Sequence, residues 1–228
     1  MTHNQEIPLN IFQTYHTLDL PPRMRKCVNK LIKNNPEFTH RLYDDNDCRQ
    51  FIKDNFPLNV VQAFDKLIPG AYKADLWRYC VLYIHGGIYL DIKYGCVNNF
   101  KLIELTTKEH VVKDQKLNGV TGIYQALMVH KPYSQILHKC ISKIVNHASS
   151  GYYGHNALMV TGPHLMKDCV QPGMLNNYEL EFAESKRCIF YKGEVALRIY
   201  KGYRSELNQT QLLPPYYVLW EQRNIYKQ

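Results

Sequence analysis

The 228-residue sequence predicts an α/β fold, a doubly wound sheet with flanking helices in a single domain spanning residues 1–228. Three observations lead there. Strand-like and helix-like segments alternate through the first hundred residues, the longest apolar stretch is a helix that turns straight into a strand, and no repeat, low-complexity tract or flexible linker divides the chain.

The elements follow in order. Ile7 to Phe12 reads as a strand. Pro21-Pro22 opens a helix over Arg23 to Lys33, and Asn34-Asn35-Pro36 closes it. Thr39 to Tyr43 is the next strand. It runs into Asp44-Asp45-Asn46-Asp47, carboxylates suited to the start of a helix over Cys48 to Asn55. A third helix covers Leu58 to Leu67, and Ile68-Pro69-Gly70 separates it from a long fourth, Ala71 to Tyr83. Gly86-Gly87 ends that helix and permits a tight reversal into a strand over Ile88 to Ile92. Beyond Phe100 the rhythm weakens. Strands near His110 to Val112 and Ile123 to Val129 and a helix over Pro132 to His147 are expected, followed by irregular segments to the end.

Beyond Lys73, two charges interrupt the apolar body of the fourth helix. Tyr72, Leu76, Tyr79, Cys80 and Tyr83 make one apolar row, and Trp77, Val81 and Ile84 a second beside it, so most of the helix is buried. Asp75 and Arg78, three apart, share a face, and an ion pair in a core ordinarily costs more in desolvation than it returns. A structural salt bridge is the simplest explanation. The following strand points Tyr89, Asp91 and Lys93 to one side, which puts a carboxylate near the carboxyl end of a central strand, where open α/β sheets bind ligands.

Composition bounds the remaining possibilities. A net charge of +8 and an isoelectric point near 9.0 suit an anionic partner, a phosphate-bearing substrate or a negative membrane surface. The basic residues are dispersed and no RNP-like aromatic motif occurs, which argues against nucleic acid. Seven cysteines, with no CxxC pair and no zinc-type spacing, read as reduced thiols. MTHNQEIPLN lacks an apolar leader and no apolar run approaches the roughly 20 residues of a membrane span, so the expected location is cytoplasmic.

The stretch ADLWRYCVLYIHGGIYLDIKYG resembles the A-D-x-x-R-Y-x-x-L-y-x-x-G-G-x-Y-x-D-x-D signature of glycosyltransferase family 32, a layout shared with the large clostridial glucosylating toxins. IPLNIFQTYHTLDLPPRM, NPEFTHRLYDDNDCRQFI, TGPHLM and YYVLWEQRNIY resemble further segments of that family, so the likeness runs nearly end to end. It implies a GT-A type, Rossmann-like fold and transfer of a hexose, with retention, from a UDP- or GDP-sugar to a glycan or protein acceptor, as in polysaccharide biosynthesis. Residues 1–100 would form the donor half and 101–228 the acceptor side. Asp75 and Arg78 match the family's donor-sugar contacts, for which sugar hydroxyls supply the bonds that make buried charges tolerable.

Asp91 matches the first acid of the D-x-D, but Lys93 replaces the second. The expected cofactor is Mn2+ or Mg2+ held by Asp91, diphosphate oxygens and water; in the rival arrangement Lys93 is itself the charge that stabilises the leaving diphosphate. Tyr15 stands where the family has a Trp and could stack on the base, with Phe12 and Gln13 as base-edge candidates. Asp45 could reach ribose or base, or simply cap its helix. Trp220 is a candidate indole donor to the diphosphate, or a core residue. His155 and His164 flank Thr161-Gly162-Pro163 and are the histidines to watch. A catalytically lapsed nucleotide-sugar or carbohydrate-binding protein is the main alternative, and a basic interaction protein with no small-molecule site the plainest.

Overall fold

The computed structural model describes residues 5–117, 120–171, 173 and 179–228. Its first strand, β1 (Asn10–Thr14), begins three residues later than expected, although Ile7 is already buried. Helix α1 (Pro22–Asn34) starts on the predicted proline, whose missing N–H costs nothing at that position. Strand β2 (Thr39–Tyr43) pairs parallel to β1. In α2 (Asp45–Asn55) the cap is Asp44, whose side chain accepts from the Asp47 N–H while Asp47 returns the bond. Helices α3 (Leu58–Lys66) and α4 (Gly70–His85) follow, both within a residue or two of expectation.

The α4 to β3 (Gly87–Leu90) reversal needs both glycines. Gly86 and Gly87 adopt φ of +59° and +114°, and a Cβ on Gly87 would lie 2.7 Å from the Asn10 carbonyl oxygen. The close approach lets β3 pair parallel with β1, while its other edge pairs antiparallel with Leu127 to His130. The second half differs most from expectation. After β4 (Tyr94–Cys96) come β5 (His110–Leu117), β6 (Val120–His130), α5 (Gln135–Ser150) and α6 (Pro163–Lys167). The stretch read as irregular then supplies β7 (Leu180–Ala183), β8 (Cys188–Tyr191), β9 (Glu194–Ile199), α7 (Tyr203–Thr210) and α8 (Tyr216–Glu221).

Among the described residues one mixed sheet runs β2-β1-β3-β6-β5-β7-β8-β9-β4. The doubly wound parallel pattern therefore holds for β2, β1 and β3; beyond them the pairs are antiparallel, except for β5 with β7, which is parallel. One face buries Trp77, Tyr79 and Leu82 of α4 against α2, α3 and α5; the other buries Ile11, Ile88 and Leu90 with Leu31 of α1. A third cluster, Tyr15, Met24, Val28 and Ile92, lies at the carboxyl end of β1 and is flanked by Tyr203 and Leu207 of α7. Full burial of one such side chain contributes about 1.5–3 kcal/mol, so α4, with nine buried residues, is a rigid platform for whatever charge it carries.

Candidate active site

Helix α4 brings Asp75 and Arg78 to one point. Arg78 Nη2 lies 3.4 Å from Asp75 Oδ1, and both side chains are about a tenth exposed. Each is held further. Arg78 donates to the Ala74 and Gln125 carbonyls at 3.1 and 2.8 Å, and its guanidinium lies 4.4 Å from the Tyr89 ring centroid. Asp75 Oδ2 accepts from the Thr161 hydroxyl at 2.6 Å. Such saturation makes a buried pair tolerable, because no charge is left without a partner. Burial pushes the Asp75 carboxyl up to about 6, against the opposing pull of Arg78 and Thr161. Thr161, from the Thr-Gly-Pro segment, is a site residue that sequence reasoning flagged only as a motif.

Strand β3 delivers the second pair. It ends at Leu90, two residues earlier than expected, and Asp91–Tyr94 forms a tight turn closed by a Tyr94 N–H to Asp91 carbonyl bond of 3.0 Å. The Asp91 N–H is bound to Ala126 of β6, and the Lys93 carbonyl accepts from the Tyr200 N–H, so the turn is anchored from both sides. In place of a straight strand carrying two side chains on one face, the turn folds them together, with Lys93 Nζ 2.7 Å from Asp91 Oδ2. Asp91 Oδ1 accepts from the Tyr89 hydroxyl at 2.7 Å and lies 3.7 Å from Arg78 Nη1. Burial opposes ionisation of Asp91, yet Lys93 and Arg78 outweigh it and hold its carboxyl below the usual range. Burial likewise disfavours the Lys93 ammonium, and Asp91 overrides it, so the lysine pKa is raised.

Asp75, Arg78, Asp91 and Lys93 all line a cleft of about 450 Å³. Its opposite wall comes from the second half of the chain: Asp114, Tyr124, Phe182, Glu184, Arg187, Tyr203, Arg204 and Tyr216. Tyr124 and Phe182 stack at 3.9 Å between centroids, nearly parallel, which stiffens that wall. No spacing rule linked these residues, because β5, β6, β7 and α7 converge only through the sheet. A cleft of this size with a few converging charged groups has the dimensions of a small-molecule site.

The other anticipated site residues lie outside the cleft lining. Phe12 is fully buried, stacks on His85 and has strand neighbours on both sides. Gln13 is also fully buried; its amide donates to the Leu90 carbonyl and its oxygen meets His40, so it braces the sheet instead. Tyr15 is 9% exposed and its hydroxyl pairs with Thr210 of α7, so a base stacks on the ring only if its neighbours give way. Asp45 is exposed in the first turn of α2, where Asp44 does the capping. Trp220 donates its indole N–H to the Tyr153 carbonyl at 2.7 Å and has none left for a diphosphate. His164 is buried and its pKa is lowered by burial; His155 is exposed, and neither lines the cleft.

Residues 21–112, which carry all four cleft charges of the first half, match the family described as glycosyltransferase sugar-binding region containing DXD motif. This part of the chain is therefore similar to the sugar-binding region of DXD-type glycosyltransferases. The fold agrees with that likeness, since PaToxG glycosyltransferase superposes on 75% of this chain and 74% of its own with a TM-score of 0.53 at 18% identity, the GT-A architecture. Among curated relatives, an uncharacterized glycosyltransferase, L373, of Acanthamoeba polyphaga mimivirus is 29% identical over 161 residues, 69% of this chain and 61% of that protein. Inositol phosphoceramide mannosyltransferase 2 of Schizosaccharomyces pombe is 30% identical over 69% of this chain and 44% of its own length. Mannosyl phosphorylinositol ceramide synthase CSH1 of Saccharomyces cerevisiae is 30% identical over 70% and 41%. The chain thus spans about half the length of the curated relatives it matches. No helix among the described residues is long and apolar enough to cross a membrane.

The matched region is named after a motif with two acids, and this chain has one, Asp91, with Lys93 in the second place. Among the described residues no group of three or more His, Cys, Asp or Glu side chains is placed to hold a metal ion. Asp91 already has Lys93 on one oxygen and Tyr89 on the other, with Arg78 beside it. A dication about 4 Å from one further ammonium is repelled by on the order of 8 kcal/mol at an effective dielectric constant of about 20. The side chains present do not fit the two-carboxylate metal site that the motif's name describes.

Proposed function

We propose that this protein is a retaining hexosyltransferase that moves a mannosyl group from a nucleoside-diphosphate sugar to a hydroxyl of a glycan, lipid or protein acceptor. The observation that carries the reading is the convergence of Asp75, Arg78 and Asp91 on one cleft inside the matched region. A carboxylate accepts two sugar hydroxyls, a guanidinium donates to others, and each fixes its neighbour. Mannose comes from the curated relatives, several of which are named as mannosyltransferases. Residues 1–100 serve as the donor half and 101–228 as the acceptor side of one domain, in keeping with the two walls of the cleft. A cytoplasmic site of action accords with seven unpaired thiols, six of them buried.

In this reading the bond between the anomeric carbon and the diphosphate oxygen breaks with its electron pair leaving on the diphosphate. The acceptor oxygen forms the new bond on the same face, and its proton passes to the departing phosphate oxygen. Asp75 and Asp91 are already engaged by Thr161, Arg78, Lys93 and Tyr89, which favours this front-face course over attack by either carboxylate. The test is incubation with GDP-mannose and, in parallel, UDP-glucose, following nucleoside diphosphate release and the anomeric configuration of the product by NMR. Release from GDP-mannose with an α-linked product is expected. Tight donor binding without any turnover would replace the enzyme by a nucleotide-sugar-binding protein, the reading that Lys93 in the second acidic position makes the chief competitor.

A further inference from the structure

We propose that Lys93 does the work of a divalent cation, its ammonium holding the donor's diphosphate and stabilising the charge that develops as the sugar departs. The inference rests on the donor-site reading above and adds to it that binding and transfer need no metal. It begins with charge. In a D-x-D site with this helix pair, three carboxylates and one guanidinium leave two negative charges, which one dication cancels. Exchanging the second carboxylate for an ammonium changes the cluster by the same two units. Asp75, Arg78, Asp91 and Lys93 therefore reach neutrality among themselves, at distances of 3.4, 3.7 and 2.7 Å along the chain of contacts.

Position agrees with charge. Lys93 lines the cleft and its side chain is 19% exposed, so the ammonium is reachable although most of the stem is covered. The Tyr94 and Tyr124 rings lie 5.6 and 5.7 Å from Nζ, a cation–π cradle that limits where the charge can go. The Tyr200 N–H holds the Lys93 carbonyl and Ala126 holds the Asp91 N–H, so the turn cannot readily drift. A preorganised cation aimed at a developing anion is the arrangement that stabilises a leaving diphosphate. Lys93 stays protonated throughout and transfers nothing; it can exchange part of its contact with Asp91 for the incoming phosphate oxygens.

The test uses GDP and UDP as probes, with affinities measured by calorimetry in excess EDTA and in MnCl2. Wild type is expected to bind one of the two equally well in both, and to release nucleoside diphosphate from its sugar donor at the same rate. Lys93→Asp is expected to bind only with Mn2+, and Lys93→Gln to lose roughly tenfold or more in affinity under both conditions, with melting curves confirming that each is folded. A merely structural lysine would lower the melting temperature without making Lys93→Asp depend on Mn2+. Wild-type binding that vanishes in EDTA and returns with Mn2+ overturns the inference and leaves the donor site standing. Failure of both nucleotides to bind in either buffer overturns the donor site itself, and this inference with it.

Discussion

Asp75 is caught between two requirements. Its carboxyl titrates near 6 when folded, against 3.8 for an unperturbed one, because burial outweighs Arg78 and Thr161. The folded chain therefore binds the proton more tightly, and stability contributed by this group falls as pH rises from about 4 to 6. By pH 7 the penalty is on the order of 3 kcal/mol. Subtracting the unfolding free energy of Asp75→Asn from that of wild type, across this range, is expected to trace that decline; a flat difference would contradict it. Sugar binding by an ionised carboxylate has the opposite dependence, so donor affinity should drop below about pH 6. Thr161→Val, which removes the 2.6 Å hydroxyl, should move that acid limb upward by about one unit, since a hydrogen bond to a charged group contributes about 1.5–3 kcal/mol. Arg78→Lys is expected to fold but to lose roughly tenfold or more of transfer, because an ammonium cannot reproduce the guanidinium's several fixed bonds. The sequence made the charged pair visible at this scale by placing it on a largely apolar helix, whereas Thr161 was invisible as its partner, lying 86 residues away with no periodicity to connect them.

At the scale of elements, the corner between α4 and β3 decides whether the charges face each other. Gly87→Ala would force a side chain into φ +114° and within 2.7 Å of a backbone carbonyl. Strained backbone of this kind costs about 1–3 kcal/mol, and the contact with Asn10 adds to it. A lower urea midpoint together with weakened donor binding is the expected result; Gly151→Ala, with open space around its Cβ, serves as a control for left-handed strain alone. Elements in the first half were legible because strong local punctuation bounds them: Pro21-Pro22, Asn34-Asn35-Pro36, Ile68-Pro69-Gly70 and Gly86-Gly87. Helix α2 likewise announced itself through its carboxylates, though Asp44 and not Asp45 proved to be the cap. The strands after residue 179 carry weaker marks. β7 and β8 have four residues each, too short for a period to emerge, and the tight turns around them put Arg187 and Lys192 at positive φ, so that Gly193 is the one conventional turn residue there. Half the cleft wall was therefore hidden.

Across the whole molecule, the matched region 21–112 holds the first-half charges but cannot form the site alone. Asp91 is anchored on Ala126, Lys93 on Tyr200 and Asp75 on Thr161, all beyond residue 112. Helix α1 is similarly dependent. The Glu206 carboxylate of α7 accepts from the Arg23 and Met24 N–H groups at 2.9 and 3.1 Å and from the Tyr200 hydroxyl at 2.7 Å, closing the first turn of a helix that lacks a local side-chain cap. Glu206→Gln should cost about 1–3 kcal/mol in unfolding free energy, as buried N–H groups lose a charged acceptor, with GDP affinity changing little. Equal stability of the two proteins would mean that α1 is capped by other means. The same clasp sets an order of events during synthesis. A helix encoded at residue 22 waits for an acceptor encoded at residue 206, and the turn that carries Asp91 and Lys93 waits for residue 200. A nascent chain emerging from the ribosome can build its parallel strands early, but the cleft that holds Asp75, Arg78, Asp91 and Lys93 is complete only once α7 and α8 have been made.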